Sequence, residues 1–364
     1  MFKKAVFPGK YIQGAGALGN LPTLIDLFGK HGLILASPTV HSRVLPECGI
    51  DWGPRDIRVE VFRGECCEVE VSRLVEVIAR THIDVLVGMG GGKTIDTAKI
   101  AADRANVPII VVPTIASTDA PCSGCAVLYS EDGVFDSVHY QRMNPAAVLV
   151  DLEVIAAAPT RFLVAGMGDA LSTWFEARSC ELTHSANECG GYGTAAGLAL
   201  ARLCYETLLN HGIAAKRASE NHVVTSDLDL IVEANTLLSG VGFESAGLAA
   251  AHSIHNGLTA LEETHAFYHG EKVAFGVLVG LHLTSAPTEE MAAVYSFCED
   301  VGLPTTLADV GLQVAGHREL MLVAERACAP EQPIHHEAGE ISPSTVLEAI
   351  HAADALGRQR VRAS

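Results

Sequence analysis

The chain has little positive charge, few aromatic side chains and no long apolar segment. Among its 364 residues, Lys and Arg number 25 against 43 Asp and Glu, and aromatic residues make up 5%. The formal net charge of −18 argues against nucleic acid or an anionic membrane surface as a partner. No apolar stretch reaches the roughly 18 residues that a membrane-spanning helix needs.

The amino-terminal segment and the cysteines indicate a reducing compartment. The start, MFKKAVFPGKYIQ, has the adjacent lysines Lys3 and Lys4 but no apolar segment behind them, so no signal peptide is predicted. The ten cysteines include one C-x-x-C pair, Cys122 and Cys125, without the second pair that a zinc knuckle needs. A chain of this length does not need disulfides to support a core. We therefore expect reduced thiols, a cytoplasmic location and no redox or metal role for this pair.

The pattern of apolar residues changes near residue 150, which predicts two domains. Up to about residue 150, short apolar strands alternate with helical stretches, which is typical of a doubly wound parallel sheet. After Asp151 the strand signals fade and long helical periodicities take over. We predict an α/β domain over residues 1–155 and a helical domain over residues 156–364. The predicted strands are 33–36, 57–62, 85–89, 107–112 and 148–150, and the predicted helices include 39–45, 68–80, 94–104, 160–180, 192–211, 226–239, 246–261 and 344–362.

A glycine cluster follows the predicted strand 85–89. Gly90, Gly91 and Gly92 lack Cβ atoms, which lets backbone N–H groups approach a pyrophosphate at the start of the next helix. The spacing matches neither G-x-x-x-x-G-K-[ST] nor G-x-G-x-x-G. Three consecutive glycines are costly in backbone entropy, so we predict phosphate binding rather than a plain turn. Lys93 would add positive charge at the same loop.

Candidate metal ligands lie in the helical part of the chain. Asp169 lies among small and apolar residues, where a carboxylate needs a partner. Two pairs of histidines follow, His252 with His255 and His265 with His269. Aspartate and histidine are suitable zinc ligands. The spacing alone neither chooses among the four histidines nor excludes that they are unrelated surface residues.

Several long motifs resemble one family. The motifs are GMGGGKTIDTAK (88–99), VPTIASTDAP (112–121), GMGDALSTWFEARS (166–179), GFESAGLAAAHSIHNGLTAL (242–261) and HGEKVAFG (269–276). They resemble the glycerol dehydrogenases, the zinc-dependent, polyol-oxidising branch of the iron-containing alcohol dehydrogenase superfamily, over essentially the whole chain. The resemblance implies a Rossmann-like doubly wound N-terminal domain and an all-helical C-terminal domain, which is a dehydroquinate-synthase-like fold.

The resemblance also assigns the metal ligands. It places them at Asp169, His252 and His269, which leaves His265 as a non-ligand. Iron-using relatives carry a further histidine where this chain has Thr173. That difference favours zinc, with three protein ligands and one open position.

The remaining roles concern the substrate and the nucleotide. By resemblance, Asp119 contacts the substrate, and His255, one helical turn from His252, is a candidate proton shuttle that is as readily interpreted as a packed helix histidine. The implied nucleotide contacts are Gly90, Gly91, Gly92, Lys93, Thr94, Thr114, Ile115, Ala116, Ser117, Ser123, Cys125 and Tyr129.

One nucleotide-binding position departs from the family. Relatives end the second strand with an aspartate that binds the adenosine ribose, and this chain has Ser37 there. A carboxylate accepts hydrogen bonds from the ribose diol and repels a 2′-phosphate, whereas serine does neither strongly. We therefore expect NAD as the main cofactor and some tolerance of NADP.

The implied reaction is oxidation of glycerol by NAD to dihydroxyacetone and NADH, with other vicinal diols and hydroxyketones as further substrates. Zinc would lower the pKa of the bound hydroxyl, and the partners expected are a small polyol and further copies of the chain. Alternatives on the same architecture are a glycerol-1-phosphate dehydrogenase, a dehydroquinate-synthase-type lyase and a non-catalytic metabolite-binding relative. The first two reactions need basic residues to bind an anionic substrate. In the segments expected to face the substrate, 169–179 and 249–270, Arg178 is the only Lys or Arg residue. The complete ligand set and glycine loop oppose the third.

Overall fold

A computed structural model describes residues 2–363 of the chain, with side chains for residues 2–360. The strands in this part of the chain are β1 (Tyr11–Gly14), β2 (His31–Ala36), β3 (Asp56–Val61), β4 (Val85–Gly90), β5 (Ile109–Pro113), β6 (Cys125–Tyr129), β7 (Phe135–Tyr140) and β8 (Ala147–Asp151). The α-helices are α1 (Leu21–Phe28), α2 (Leu45–Glu47), α3 (Glu68–Thr81), α4 (Gly92–Ala105), α5 (Leu152–Ala156), α6 (Thr160–Thr183), α7 (Ala195–Glu220), α8 (Ser226–Glu233), α9 (Ser239–Ala246), α10 (Ala250–Leu258), α11 (His269–Leu283), α12 (Thr288–Val301), α13 (His317–Ala327) and α14 (Pro343–Ala363). None of these helices is long and apolar enough to cross a bilayer.

One compact unit contains a six-stranded parallel sheet in the order β1-β8-β5-β4-β2-β3. Every residue of β4 and β5 is buried, which explains their continuous apolar sequences VLVGMG and IIVVP. The unit comprises Val6–Phe162 together with Ala218–Gly240. The segment 218–240 contacts the rest of this unit: the side-chain amide of Asn235 donates a hydrogen bond to the carbonyl of Ala116 (3.0 Å).

Among the described residues, the other compact unit is helical and comprises residues 2–5, 163–217 and 241–363. It contains most of α6 and α7 and all of α10 to α14. The predicted domains 1–155 and 156–364 placed residues 218–240 with the helices, whereas the structure groups them with the sheet.

The predicted α/β fold class is confirmed by the parallel sheet, and the predicted strands overlap β2, β3, β4, β5 and β8. The expectation of a single helix over 246–261 is wrong. Helix α9 ends at Ala246, Gly247 takes a φ of +108°, and α10 begins at Ala250. Such a φ is open to glycine but unfavourable for residues with a Cβ, so the chain turns there.

The antiparallel hairpin β6–β7 was not predicted from the sequence. An Asp132-Gly133 turn lies between its strands, and Gly133 has a φ of +79°. This dipeptide between strand-like segments is a hairpin signal, and it was available in the sequence. Strand β1 also went unpredicted, because four residues ending in glycine carry little pattern of their own.

Candidate metal centre and nucleotide-binding edge

The three predicted metal ligands come together in the helical unit. Asp169 lies on α6, His252 on α10, and His269 is the first residue of α11. Ligand atoms of the three residues all lie within 4.8 Å of one another. The Asp169 Oδ1 atom is 3.0 Å from Nε2 of His269 and 3.7 Å from Nε2 of His252. The Asp169 side chain is fully buried, whereas the His269 side chain is 36% exposed.

Glycines allow the ligand-bearing helices to approach at backbone distance. A Cβ added to Gly270 would lie 1.8 Å from the carbonyl oxygen of Ala165 on α6. A Cβ added to Gly276 would lie 2.4 Å from the carbonyl oxygen of Ala251 on α10. No side chain fits at either position without moving a helix. Gly270 and Gly276 therefore set how closely α11 approaches α6 and α10.

The start of α11 is fixed by a local cap. The backbone N–H of Tyr268 donates to Oε2 of Glu271 (2.7 Å), so the helix begins at His269. His265 precedes this start and shares no helix with His269. Its Nε2 atom lies 3.0 Å from the carbonyl oxygen of Thr259, outside the metal group.

Each histidine of the group has a partner on its second ring nitrogen. Nδ1 of His252 lies 2.7 Å from Oε2 of Glu176, and Nδ1 of His269 lies 3.0 Å from Nε2 of His255. Such contacts orient metal-binding imidazoles. Burial, and then the neighbouring His269 and Lys272, lowers the pKa of His255 well below its ordinary value.

Glu176 was missed by sequence reasoning. It lies seven residues after Asp169 on α6, a spacing of two turns that places both carboxylates on one face of the helix. That spacing was the available signal. A glutamate in a helix is usually a solvent-facing charge, but the Glu176 side chain is only 1% exposed.

The residues fit a transition-metal ion. Two imidazole nitrogens and one carboxylate oxygen form a donor set that zinc and related divalent metals accept. Thr173, one turn after Asp169 on α6, is buried and contributes neither an imidazole nor a carboxylate. The group therefore offers three protein donors, Asp169, His252 and His269.

The two glycine- and hydroxyl-rich loops predicted to bind a nucleotide, and Ser37, lie at one edge of the parallel sheet. The strand order reverses between β4 and β2, because the chain continues from β2 outward to β3 but from β4 to β5 on the other side. Ligands of open α/β sheets bind at the carboxyl ends of the strands at such a switch point. The glycine loop follows β4, and Ser37 follows β2. The two meet there, since a Cβ added to Gly90 would lie 3.1 Å from Cβ of Ser37.

Packing explains two of the three consecutive glycines. A Cβ at Gly90 would lie 2.9 Å from Oγ1 of Thr94, and one at Gly91 would lie 2.9 Å from Cδ1 of Ile115. At Gly92 the nearest such atom is 3.9 Å away, although this residue opens α4. The packing of the protein itself therefore does not require glycine at 92, which leaves open space at the start of α4.

The cation of the loop is already paired. Nζ of Lys93 lies 2.5 Å from Oε2 of Glu65 and 5.1 Å from the ring centroid of Tyr129. Burial raises the pKa of the Tyr129 hydroxyl, so it stays neutral. Lys93 thus connects Tyr129 to the glycine loop, and Glu65 compensates its positive charge.

The other predicted nucleotide residues divide into two groups. The backbone N–H of Thr114 donates to the carbonyl of Gly90 (3.0 Å), which joins the loop 114–117 to the glycine loop. Ser123 is 1% exposed, and its hydroxyl lies 3.2 Å from Nζ of the buried Lys99. Lys99 also donates to the carbonyl of Cys125 (2.6 Å). Lys99 therefore engages Ser123 and Cys125 from inside the unit.

Asp119, the predicted substrate contact, lies in the unit that contains the sheet. It is 8% exposed, and its Oδ2 atom accepts a hydrogen bond from the hydroxyl of Ser239 (2.9 Å). A Cβ on Gly240 would lie 2.7 Å from the Asp119 carbonyl oxygen. The start of α9 therefore holds this carboxylate in place.

Comparison with known proteins agrees with this fold. A family model described as iron-containing alcohol dehydrogenase matches residues 8–152. A glycerol dehydrogenase from Thermotoga maritima is 51% identical over 362 residues, which is 99% of this chain and 99% of that protein. A glycerol dehydrogenase from Pseudomonas putida is 48% identical over 96% of this chain and 97% of that protein. A crystal structure of a probable glycerol dehydrogenase from Sinorhizobium meliloti 1021 has a TM-score of 0.93 and 46% identity, covering 98% of this chain and 99% of that chain.

The sheet edge and the buried carboxylate–histidine group thus lie in a fold that the chain shares with known oxidoreductases. The chain is a member of the iron-containing alcohol dehydrogenase family. Its predicted resemblance to the glycerol dehydrogenase branch is confirmed by relatives that match over nearly their whole length.

Proposed function

We propose that the protein is a zinc- and NAD-dependent dehydrogenase that oxidises glycerol to dihydroxyacetone. The convergence of Asp169, His252 and His269 carries the proposal, because it supplies the metal site that an alcohol dehydrogenase of this kind needs. Relatives of 51% and 48% identity that are glycerol dehydrogenases support the choice of substrate. Other vicinal diols and hydroxyketones belong to the same proposal.

Zinc is the metal that the donor set favours. A zinc ion held there supplies Lewis-acid chemistry, which lowers the pKa of a coordinated alcohol. Asp169 would contribute the negative charge of the set, and its full burial leaves that charge little screened by water. Thr173 stands where iron-using relatives have a histidine, so three protein ligands remain.

NAD is the proposed hydride acceptor, at the sheet edge formed after β4, β5 and β2. Backbone N–H groups at the start of α4 and the open space at Gly92 suit a pyrophosphate. The loop 114–117 borders the same edge. Contacts from Ser123, Cys125 and Tyr129 remain predictions, and Ser123 is already engaged by Lys99.

Two side chains are proposed to act on the substrate and the proton. Asp119 would accept a hydrogen bond from a second hydroxyl of the polyol, which suits its fixed orientation by Ser239. The role of His255 as a proton shuttle stays a prediction. Its Nε2 atom is engaged by His269, which supports an orienting role equally well.

Neither alternative reaction is favoured. A phosphorylated or carboxylated substrate needs a cation, and Arg178 is the single basic residue in segments 169–179 and 249–270. Its guanidinium already forms two hydrogen bonds with Glu290, at 2.8 and 3.0 Å. The relatives above also favour glycerol dehydrogenase over these reactions and over a non-catalytic role.

The expectations on partners and location belong to the same proposal. The acidic net charge suits a small neutral substrate better than nucleic acid or an anionic membrane. We further propose that the protein forms a homo-oligomer and is located in the cytoplasm.

A substrate panel tests the proposed function. Initial rates would be measured with glycerol, 1,2-propanediol, 2,3-butanediol and ethanol, with NAD⁺ or NADP⁺, before and after zinc removal and replacement. We expect vicinal diols to exceed ethanol, NAD⁺ to exceed NADP⁺, and zinc removal to abolish turnover. Turnover of diols that persists without metal would refute the proposed role of the metal group.

A further inference from the structure

The buried carboxylate of Glu176 makes three hydrogen bonds, and both of its oxygens are occupied. Oε1 accepts hydrogen bonds from the backbone N–H groups of Ala249 (2.9 Å) and His252 (3.0 Å). Oε2 lies 2.7 Å from Nδ1 of the His252 ring. Glu176 thus holds the first turn of α10 and the imidazole on that turn together.

This contact determines which nitrogen of His252 carries the proton. An ionised carboxylate only accepts hydrogen bonds, so Nδ1 must donate and carry hydrogen. In a neutral imidazole the other nitrogen then bears the lone pair. That nitrogen is Nε2, the atom that lies 3.7 Å from Oδ1 of Asp169.

We propose that Glu176 is a positioning residue that makes His252 a metal ligand by fixing its tautomer and the orientation of its ring. This inference rests on the metal site of the proposed function and adds a residue outside the ligand set. Carboxylate partners of metal-binding histidines act in this way in general, and their loss weakens metal binding by about 10- to 100-fold.

The other histidine is held by a weaker arrangement. Nδ1 of His269 meets Nε2 of His255, and Nδ1 of His255 lies 3.0 Å from Oδ1 of the exposed Asn256. The amide oxygen of Asn256 only accepts, so Nδ1 of His255 donates to it, and these two rings are directed by a neutral, exposed amide and not by a buried carboxylate. The proposal is therefore confined to Glu176.

The variant Glu176→Gln separates the tautomer from the packing. An amide has one acceptor and one donor group, so it cannot serve both backbone N–H groups through one atom and accept from Nδ1 through the other. If the amide oxygen keeps the backbone contacts, its NH₂ group faces Nδ1 and selects the tautomer with hydrogen on Nε2. That tautomer has no lone pair for the metal.

Glu337→Gln is the matched control. Glu337 is also buried, accepts hydrogen bonds from the N–H of Ala250 (3.1 Å) and the hydroxyl of Ser179 (2.6 Å), and contacts neither ligand histidine. Zinc dissociation constants of the wild type and both variants would be measured by competition with a chelator. Thermal unfolding of the zinc-free proteins would establish that each variant is folded.

We expect Glu176→Gln to weaken zinc binding about 10- to 100-fold and Glu337→Gln to leave it unchanged. Equal affinity of wild type and Glu176→Gln, with zinc bound by both, would overturn the inference but leave the proposed function intact. A wild type that binds no zinc would instead refute the metal site itself.

A second measurement does not depend on any variant of Glu176 folding. Nitrogen-15 NMR of histidine-labelled, zinc-free wild type reports the tautomer of His252, whose signals would be assigned by their loss in His252→Gln. We expect hydrogen on Nδ1. A ring that carries its hydrogen on Nε2 would contradict the inference.

Discussion

The proposed nucleotide-binding edge and the proposed metal centre are built in opposite ways. At the edge, residues that are close in space are also close in sequence, because each loop follows its own strand: Gly90–Gly92 follow β4, and Thr114–Ser117 follow β5. The metal centre collects one residue from each of three helices, and 83 residues separate Asp169 from His252. Each loop of the edge is therefore formed by residues close in sequence, whereas the metal centre depends on the tertiary packing of three helices.

The two regions also treat charge differently. At the edge, the cation Lys93 is paired with Glu65, and the loop offers mainly backbone N–H groups. In the metal centre, the buried carboxylates Asp169 and Glu176 each face an imidazole. Buried charges of one sign need compensation, so the centre is stable only with cationic or strongly hydrogen-bonding partners. Changes in the metal centre should accordingly have larger effects than changes at the edge.

The largest effect is expected from Asp169→Asn. The amide keeps the shape of the side chain but removes the charge of the donor set, so turnover should be largely abolished while the chain stays folded. Metal content by mass spectrometry, with circular dichroism for folding, checks this. Full zinc occupancy in the variant would remove Asp169 from the ligand set.

The histidines should divide into ligands and bystanders. We expect His252→Ala and His269→Ala each to lose zinc, because their Nε2 atoms face Asp169. His265→Ala serves as the control and should retain zinc, since Nε2 of His265 pairs with the carbonyl of Thr259 outside the Asp169–His252–His269 group. Loss of metal in His265→Ala with retention in His269→Ala would reverse our assignment.

A pair of glycine substitutions tests whether helix spacing sets the centre. Gly270→Ala would place a methyl group 1.8 Å from the Ala165 carbonyl, and we expect a loss of about 1–3 kcal/mol in unfolding free energy and weaker zinc binding. Gly280→Ala, on the same helix, meets only an ordinary 3.5 Å contact with Ala250. It should be neutral or stabilising by up to about 1 kcal/mol. Chemical unfolding and zinc titration of both variants provide the comparison, and similar behaviour of the two would contradict the packing account.

The smallest expected effect concerns cofactor choice at the edge. Wild type should use NADP⁺ measurably, though less well than NAD⁺, because Ser37 lacks the charge that would repel a 2′-phosphate. In Ser37→Asp that repulsion should cost about 1–3 kcal/mol, or roughly 5- to 150-fold in discrimination. Steady-state kinetics with both nucleotides decide this. Background activity with NADP⁺ in the wild type, unchanged by Ser37→Asp, would assign cofactor choice to another residue.

The structure adds a cation near that position. Arg63 lies just beyond β3, and the end of that strand adjoins the end of β2 through a hydrogen bond from the N–H of Phe62 to the carbonyl of Ala36 (2.8 Å). The Arg63 side chain is 67% exposed, and its Nε atom lies 3.9 Å from Oε2 of the buried Glu70. We expect Arg63→Ala to weaken NADP⁺ use more than NAD⁺ use, which the same kinetics would show.

The sequence was informative where structure is local. Strands β4 and β5 were predictable because central parallel strands are buried on both faces and read as continuous apolar runs. The glycine loop followed from its place between strand and helix. The break at Gly247 was not predicted, because apolar periodicity continues across it and a single positive φ leaves no trace in a hydrophobic pattern.

The metal centre could not be derived from spacing alone. By spacing, the four histidines were equal candidates, and only the family motifs distinguished them. Spacing could not do so because the start of α11 at His269 depends on a cap by Glu271. Glu176 escaped notice for a related reason. Its burial results from the packing of α10 against α6, and a single helix sequence does not contain that information.

The most direct test of the account is a zinc titration of activity. Metal-free protein would be mixed with increasing zinc, and glycerol oxidation by NAD⁺ would be followed at each step, with Asp169→Asn as the reference. We predict that the rate rises linearly and saturates at about one zinc per chain, while Asp169→Asn stays inactive throughout. A rate independent of added zinc, or equal activation of Asp169→Asn, would contradict the central role of the Asp169–His252–His269 group.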